Sequence, residues 1–151
     1  MKALTIRQPW ASLTVMTDMT GKAFKQVETR TRNTNYRGRL AIHAGLARDL
    51  WFFMGMPERD WRHFQAAGLG DPFKMEKLPY GAVIGEVTLI DSVPIDELTG
   101  TSFYTSRELV FGDWSLGKGR YGWILADPVM YEKPIPARGQ LGLWNWEVEA
   151  K

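Results

Sequence analysis

Tyr80-Gly81-Ala82-Val83-Ile84-Gly85-Glu86-Val87-Thr88-Leu89-Ile90-Asp91-Ser92-Val93 is the clearest strand in the chain. Extended side chains alternate between faces, so Val83, Gly85, Val87 and Leu89 are expected on one face and Ile84, Glu86, Thr88 and Ile90 on the other. Gly85 offers no side chain to pack, which points to close approach of another backbone or a bend in a curled sheet. Glu86 interrupts an apolar run, and a carboxylate there must face solvent or meet a cation because its desolvation is costly.

Working outward toward the C-terminus, Ile95 to Leu98 reads as a single turn and Phe111-Gly112-Asp113-Trp114 as another turn. Tyr121 to Leu125 returns to strand character and is broken by Asp127-Pro128 and by Lys133-Pro134-Ile135-Pro136. Gly139 to Val148 alternates again, with Leu141, Leu143 and Asn145 against Gly142, Trp144 and Trp146.

Toward the N-terminus, Gly68 to Pro79 reads as loop, whereas Pro57 to Ala67 and Leu46 to Gly55 read as helices. Leu40 to His43 and Val27 to Arg30 are short strands joined through Asn33-Thr34-Asn35-Tyr36-Arg37-Gly38. Leu4 to Gln8 reads as the first strand. A helix opens at Pro9, carries Trp10, Leu13, Met16 and Met19 at core spacing, and ends at Gly21. Five or six short strands between Gly/Pro turns, with helices early and in the middle, define an α+β class. The expected architecture is a small mixed β-barrel with flanking helices and a helical insert around residues 46–68, all in one domain over 1–151.

The chain has 151 residues, 44% of them hydrophobic and 24% charged, the balance of a globular domain. It has no cysteine, which excludes disulfides, thiol catalysis and cysteine-ligated zinc and makes a cytoplasmic location the default expectation. No apolar run reaches the roughly 18 residues that cross a bilayer, and Met1 to Gln8 is too short and interrupted for a signal peptide. A membrane partner is not expected.

Between Lys22 and Arg39 lie six basic side chains, Lys22, Lys25, Arg30, Arg32, Arg37 and Arg39, against the single acid Glu28, while the whole chain carries only +2. Such a concentration draws a phosphate-bearing partner to one place. On a strand, Glu28 and Arg30 share a face; they form either a plain surface pair or, if Lys25, Arg37 and Glu86 converge on them, a site. Lys25 fits a phosphate contact, or a base if its pocket is dry. Lys22, Arg32 and Arg39 read as solvated charges that broaden the field.

Trp10, Trp114 and Trp123 have the ring faces to stack on a base, although each also suits a core. His43 ends an apolar strand and reads as a hydrogen-bonded near-core residue; His63 sits on a presumed helix. Two distant histidines give no zinc pattern. A weakly bound divalent metal ion on Glu28 and Glu86 is the one cofactor the acids suggest. Gly117-Lys118-Gly119-Arg120-Tyr121-Gly122 lacks the spacing of a phosphate loop and reads as a turn that can touch a nucleic-acid backbone.

Three stretches together resemble the ASCH domain family of the PUA-like superfamily: Ala3-Leu4-Thr5-Ile6-Arg7-Gln8-Pro9-Trp10-Ala11-Ser12-Leu13, Lys25-Gln26-Val27-Glu28-Thr29-Arg30 and Tyr36-Arg37-Gly38-Arg39-Leu40-Ala41-Ile42-His43-Ala44. Gly81 to Val87, Phe111 to Trp114, Tyr121 to Trp123 and Gly139 to Trp144 extend the likeness over nearly the whole chain. The family's Gly-x-Lys-x-x-Glu-x-Arg signature is matched by Lys25, Glu28 and Arg30, with Ala23 at the glycine position. Because Gly21-Lys22 precedes it, either Lys22 or Lys25 takes the lysine role.

The resemblance implies a small β-barrel with a cleft for RNA or a nucleoside. Lys25, Glu28 and Glu86 would be its catalytic candidates, and Arg7, Trp10, Lys22, Arg30, Tyr36, Arg37 and Trp114 its RNA-binding candidates. Members act as RNA-binding modules, as ribonucleases on single strands with a divalent ion, or as amidohydrolases on acetylated cytidine. That last branch uses a lysine, a threonine and a glutamate; here Glu28 replaces the threonine, which argues against it. RNA binding with cleavage is the first reading, hydrolysis of an acetylated or otherwise modified cytidine nucleoside the second and a non-catalytic interaction module the third, with RNA or a nucleotide the expected partner.

Overall fold

A computed structural model describes residues 1–148; the last three positions of the expected 1–151 domain lie outside the described residues. The order along the chain is β1 (Lys2–Ile6), α1 (Trp10–Val15), β2 (Val27–Arg30), β3 (Gly38–Ala44), α2 (Glu58–Ala66), α3 (Pro72–Glu76), β4 (Ala82–Pro94), a single 3-10 turn (Ile95–Leu98), α4 (Ser106–Phe111), β5 (Tyr121–Pro136) and β6 (Leu143–Asn145). The strands form one sheet of six, ordered β2-β5-β4-β3-β1-β6. All neighbours are antiparallel except β1 and β3, which run parallel and are linked by a crossover through α1 and β2. The class is α+β, as expected, and the barrel is a curled half-barrel whose edge strands β2 and β6 are not paired to each other.

One face of the sheet carries Leu4, Ile6, Leu40, Ile42, Ile84, Val87, Leu89, Trp123 and Leu125, packed on Ala11 and Val15 of α1. The opposite face carries Ala3, Ala41, Val83, Trp144 and Trp146. Strict alternation along β4 therefore fails at Ile84, which joins Val87 and Leu89 while Val83 goes to the other side. The cause is a β-bulge: pairing shifts register between Ile42 and His43 on β3 and between Val83 and Gly85 against β5, and one extra residue reverses the phase of everything beyond it. Gly85 has the role its missing side chain implied, because a Cβ there would collide with the Val129 carbonyl and meet Val15 at 3.0 Å.

Several element bounds differ from the sequence expectations. The first strand is Lys2–Ile6, because Gln8 is already turned inward: its side-chain amide donates to Ser12 Oγ at 2.8 Å and to the Pro79 carbonyl at 2.9 Å, while its oxygen accepts from the Ser12 N–H. The helix α1 stops at Val15, well before Gly21. Asp18 organises a tight reversal by accepting from the Thr20 N–H, the Thr20 hydroxyl and the Lys22 N–H, and Gly21 with φ 83° completes that turn, so it does not end the helix. Met19 consequently projects into solvent and is not core.

Residues 46–57 are irregular and not a helix; Leu50 and Phe52 pack with Trp10, Phe64 and Phe111 while Leu46, Trp51 and Met54 stay exposed, so the apolar run has no helical period. The helix expected over 57–67 is α2, and α3 lies in the segment that reads as loop, opened by Asp71 accepting from the Lys74 N–H and by Pro72 at the first helical position. The segment around 46–78 thus adds a second small core, Leu13, Phe64, Met75 and Phe111 among its members, beside α1 and α4. β5 runs through both proline clusters. From Ala126 onward it has β4 on one side and, among the described residues, no strand on the other, an edge position of the kind that tolerates Pro128 and Pro134, and Asp127 takes φ 50° at a bulge.

The Asp18 turn carries a pH signature. The Thr20 hydroxyl bond is the largest influence and holds the Asp18 carboxyl down from 3.8 to about 2, with help from Arg107 at 3.1 Å. A depressed folded-state value means that its contribution to stability is complete above 3.8 and is lost as pH falls toward 2. Urea midpoints of the Asp18→Asn variant should therefore fall below the parent at pH 6 and converge with it near pH 2; a constant offset at every pH would refute this.

Candidate functional site

The reversal after α1 brings the chain back along the helix: the Phe24 N–H donates to the Met16 carbonyl and the Lys25 N–H to the Leu13 carbonyl at 2.9 Å. Lys25 is thereby fixed at the mouth of β2 with its side chain almost wholly buried, at 1% exposure. Its Nζ donates to the Val27 carbonyl and lies 3.3 Å from Glu28 Oε1. The other oxygen of Glu28 accepts from Arg30 Nε at 3.0 Å and Nη2 at 2.8 Å, and the same Nη2 donates to the Thr5 carbonyl at 2.9 Å. The line Lys25, Glu28, Arg30 therefore crosses the open side of the half-barrel, and Arg30 fastens edge strand β2 to β1.

Beneath this line opens a cleft of about 640 Å³. Trp10 and Phe111 give it apolar walls, Arg7 and Arg120 add guanidinium groups at its rim, and Gly112 and Asp113 close one end. Trp10 is half-buried and leans on Phe52, with ring centroids 4.8 Å apart. Arg7 is exposed and only loosely paired, 3.9 Å from Asp49. Arg120 is held by the Asp113 and Thr29 carbonyls at 3.0 and 3.4 Å.

A second acid supports the cleft from behind. Glu108 on α4 is buried, and its carboxylate accepts from the Gln26 N–H at 2.7 Å and from the Val27 N–H at 3.3 Å. Burial pushes its carboxyl above the ordinary value, opposed by the neighbouring Lys25 ammonium and those two N–H groups. Glu108 eluded the sequence reading because its partners are more than 80 positions away. The one local signal, Thr105 three residues ahead as a helix cap, marks α4 and not a buried carboxylate.

Of the residues singled out in the sequence, Lys25, Glu28, Arg30, Arg7 and Trp10 line this one cleft. Lys22 does not; it is exposed on the Asp18 turn, so Lys25 is the lysine beside Glu28. Glu86 does not either. It projects to the opposite face of the sheet, beside Ala41, where it pairs with Arg39 at 2.9 Å and accepts from the Tyr131 hydroxyl at 2.6 Å. That Tyr131 bond, ahead of Arg39, holds the Glu86 carboxyl below its ordinary value against the effect of burial. A divalent ion shared by Glu28 and Glu86 is ruled out by the same geometry, and among the described residues no three acidic or histidine side chains gather to hold a metal.

Arg37 turns away to the Thr34 and Tyr36 carbonyls and to Asp91 at 3.3 Å, so the expected convergence of Arg37 on Lys25 does not occur. Tyr36 packs on the sheet core and donates its hydroxyl to the Arg39 carbonyl. Trp114 is buried, its indole N–H donating to the Glu108 carbonyl at 2.9 Å; it stands behind the cleft and offers no ring face to a ligand. His43 is the buried, bonded residue its sequence context suggested: Nε2 donates to the Ala137 carbonyl, which leaves Nδ1 to accept from the Thr5 hydroxyl at 3.2 Å. No helix among the described residues is long and apolar enough to cross a membrane.

No family model matches the chain, and no curated protein matches it. Among solved structures, it is similar to the crystal structure of a mutant ZmASCH protein from Zymomonas mobilis. That likeness covers 89% of this chain and 74% of the other, with 17% sequence identity and a TM-score of 0.49.

Proposed function

We propose that the chain is an ASCH-type domain that binds single-stranded RNA in the cleft beneath Lys25, Glu28 and Arg30. The observation that carries this reading is the set of three guanidinium groups, Arg7, Arg30 and Arg120, around one cavity that also presents the Trp10 ring. Guanidinium groups match phosphate oxygens with paired N–H donors, and a half-buried indole at the same cavity offers a flat face to an unpaired base. Glu28 serves this arrangement by holding Lys25 and Arg30 in place. Both of its oxygens are already engaged by those cations, which favours a binding role for the cleft over one in which Glu28 takes a proton from a 2′-hydroxyl.

Binding through three phosphate contacts should make affinity fall with salt. Titration of a labelled single-stranded RNA decamer should give a plot of log affinity against log salt with a slope of about −2, from roughly −0.7 per neutralised phosphate on a single strand. A slope near zero would remove the cleft reading. Running the same samples on a gel, beside a decamer with 2′-deoxy sugars, separates cleavage from binding: intact RNA at saturating protein is the expected result.

A further inference from the structure

We infer that the cleft is one half of a longer groove, and that its ligand is a strand of at least two nucleotides whose linking phosphate rests at Arg30; this builds on the RNA-binding reading above. A second cavity, of about 490 Å³, opens on the far side of Arg30, and Arg30 and Thr31 line both. The two cavities follow the seam where the half-barrel fails to close, so a chain laid along that seam meets them in succession. Their chemistry differs in a way that suits such a chain. The basic side chains of the second cavity are Arg30 and Arg32, and no acidic side chain among the described residues lines it, whereas the first sets Glu28 and Asp113 among its cations.

The floor of the second cavity is apolar, formed by Leu4, Leu143 and Trp123. Its rim is built and not loose: the Trp123 indole N–H donates to the Arg32 carbonyl at 2.9 Å, and Asn33 Oδ1 accepts from the Ser92 hydroxyl at 2.6 Å. At the other rim stands Leu141, 99% exposed. A base seated between Leu141 and the floor would cover an apolar side chain that none of the described residues covers, while the phosphate on its other side meets Arg30 and Arg32. A single nucleoside in the first cavity would leave this surface unused.

The test compares cytidine 5′-monophosphate with the 5′-phosphorylated dinucleotide pCpC by NMR titration, following the Trp123 indole N–H. In the parent protein pCpC should bind roughly tenfold tighter, about the effect of one added charge-assisted contact, and should shift the Trp123 signal where the mononucleotide does not. In the double variant Arg32→Glu, Leu141→Asp that gain should vanish while mononucleotide affinity stays within about twofold, and Arg62→Glu on exposed α2 should retain the gain. Equal affinity of the two probes in the parent, or a gain that survives the double variant or vanishes equally in Arg62→Glu, overturns the extended groove while leaving the cleft reading intact. If neither probe nor the RNA decamer binds, the cleft reading itself fails and takes this inference with it.

Discussion

Lys25→Met should lower the stability of the domain by about 3 kcal/mol, the low end of the range for breaking a buried ion pair by removal of one partner. The low end applies because Glu28 keeps Arg30, at 2.8 Å. What disappears is the cation between two acids: Glu28, whose side chain is 10% exposed, and Glu108 behind it, already pushed upward by burial. Without Lys25 the Val27 carbonyl also lacks its donor. Urea unfolding of Lys25→Met, Glu108→Gln and the double variant should therefore be non-additive, with coupling of about 1–2 kcal/mol because the second substitution removes a charge the first has stranded. A Lys25→Met midpoint equal to the parent, or strict additivity, would show that the buried ammonium is not what holds this corner together.

Arg30→Ala should weaken single-stranded RNA binding by about 10- to 100-fold at low salt, corresponding to one charged hydrogen-bonded group of roughly 1.5–3 kcal/mol. The salt slope should become shallower by about 0.7, the signature of one fewer phosphate neutralised by the protein. Arg30→Lys should not restore affinity, because an ammonium cannot engage Glu28, the Thr5 carbonyl and a phosphate in one plane as the guanidinium does. Circular dichroism melts of the same proteins separate unfolding from a weakened grip on the phosphate. Unchanged affinity and slope in a folded Arg30→Ala protein would exclude Arg30 as a ligand group.

How much of this could be read from the sequence depended on distance along the chain. β2 was legible to the residue, and with it the line Lys25, Glu28, Arg30, because three and two residues of spacing on a short strand leave little freedom. The α+β class and the tight turn at Ile95–Leu98 were legible for the same local reason. Alternation put Glu86 opposite Val87 and Leu89, where it lies, and failed only at Ile84, because the bulges at Ile42/His43 and at Val83/Gly85 are set by neighbouring strands; what a single segment does not disclose is that the face bearing Glu86 offers it Arg39 and Tyr131 and not Lys25. Arg37 was drawn to the site by its charge and by the family likeness, and neither revealed that Asp91 and two nearby carbonyls would claim it. Residues 46–55 misled through hydrophobicity: Phe53 stacks on Trp61 at 4.6 Å and Phe52 leans on Trp10, while Leu46, Trp51 and Met54 stay exposed, so the apolar side chains follow an irregular path and carry no helical period.

The outer side of β5 has a consequence for solubility. From Ala126 to Pro136 its outer side has no neighbouring strand among the described residues, and a long open edge of this kind is a template on which another chain can add by strand pairing. Pro128, Pro134 and Pro136 carry no N–H to donate to an intruder, and the exposed Glu132 and Lys133 place charge along the same stretch. Prolines that look in the sequence like the end of a strand thus act as guards against self-association, and they allow β5 to be long enough to back the whole of β4.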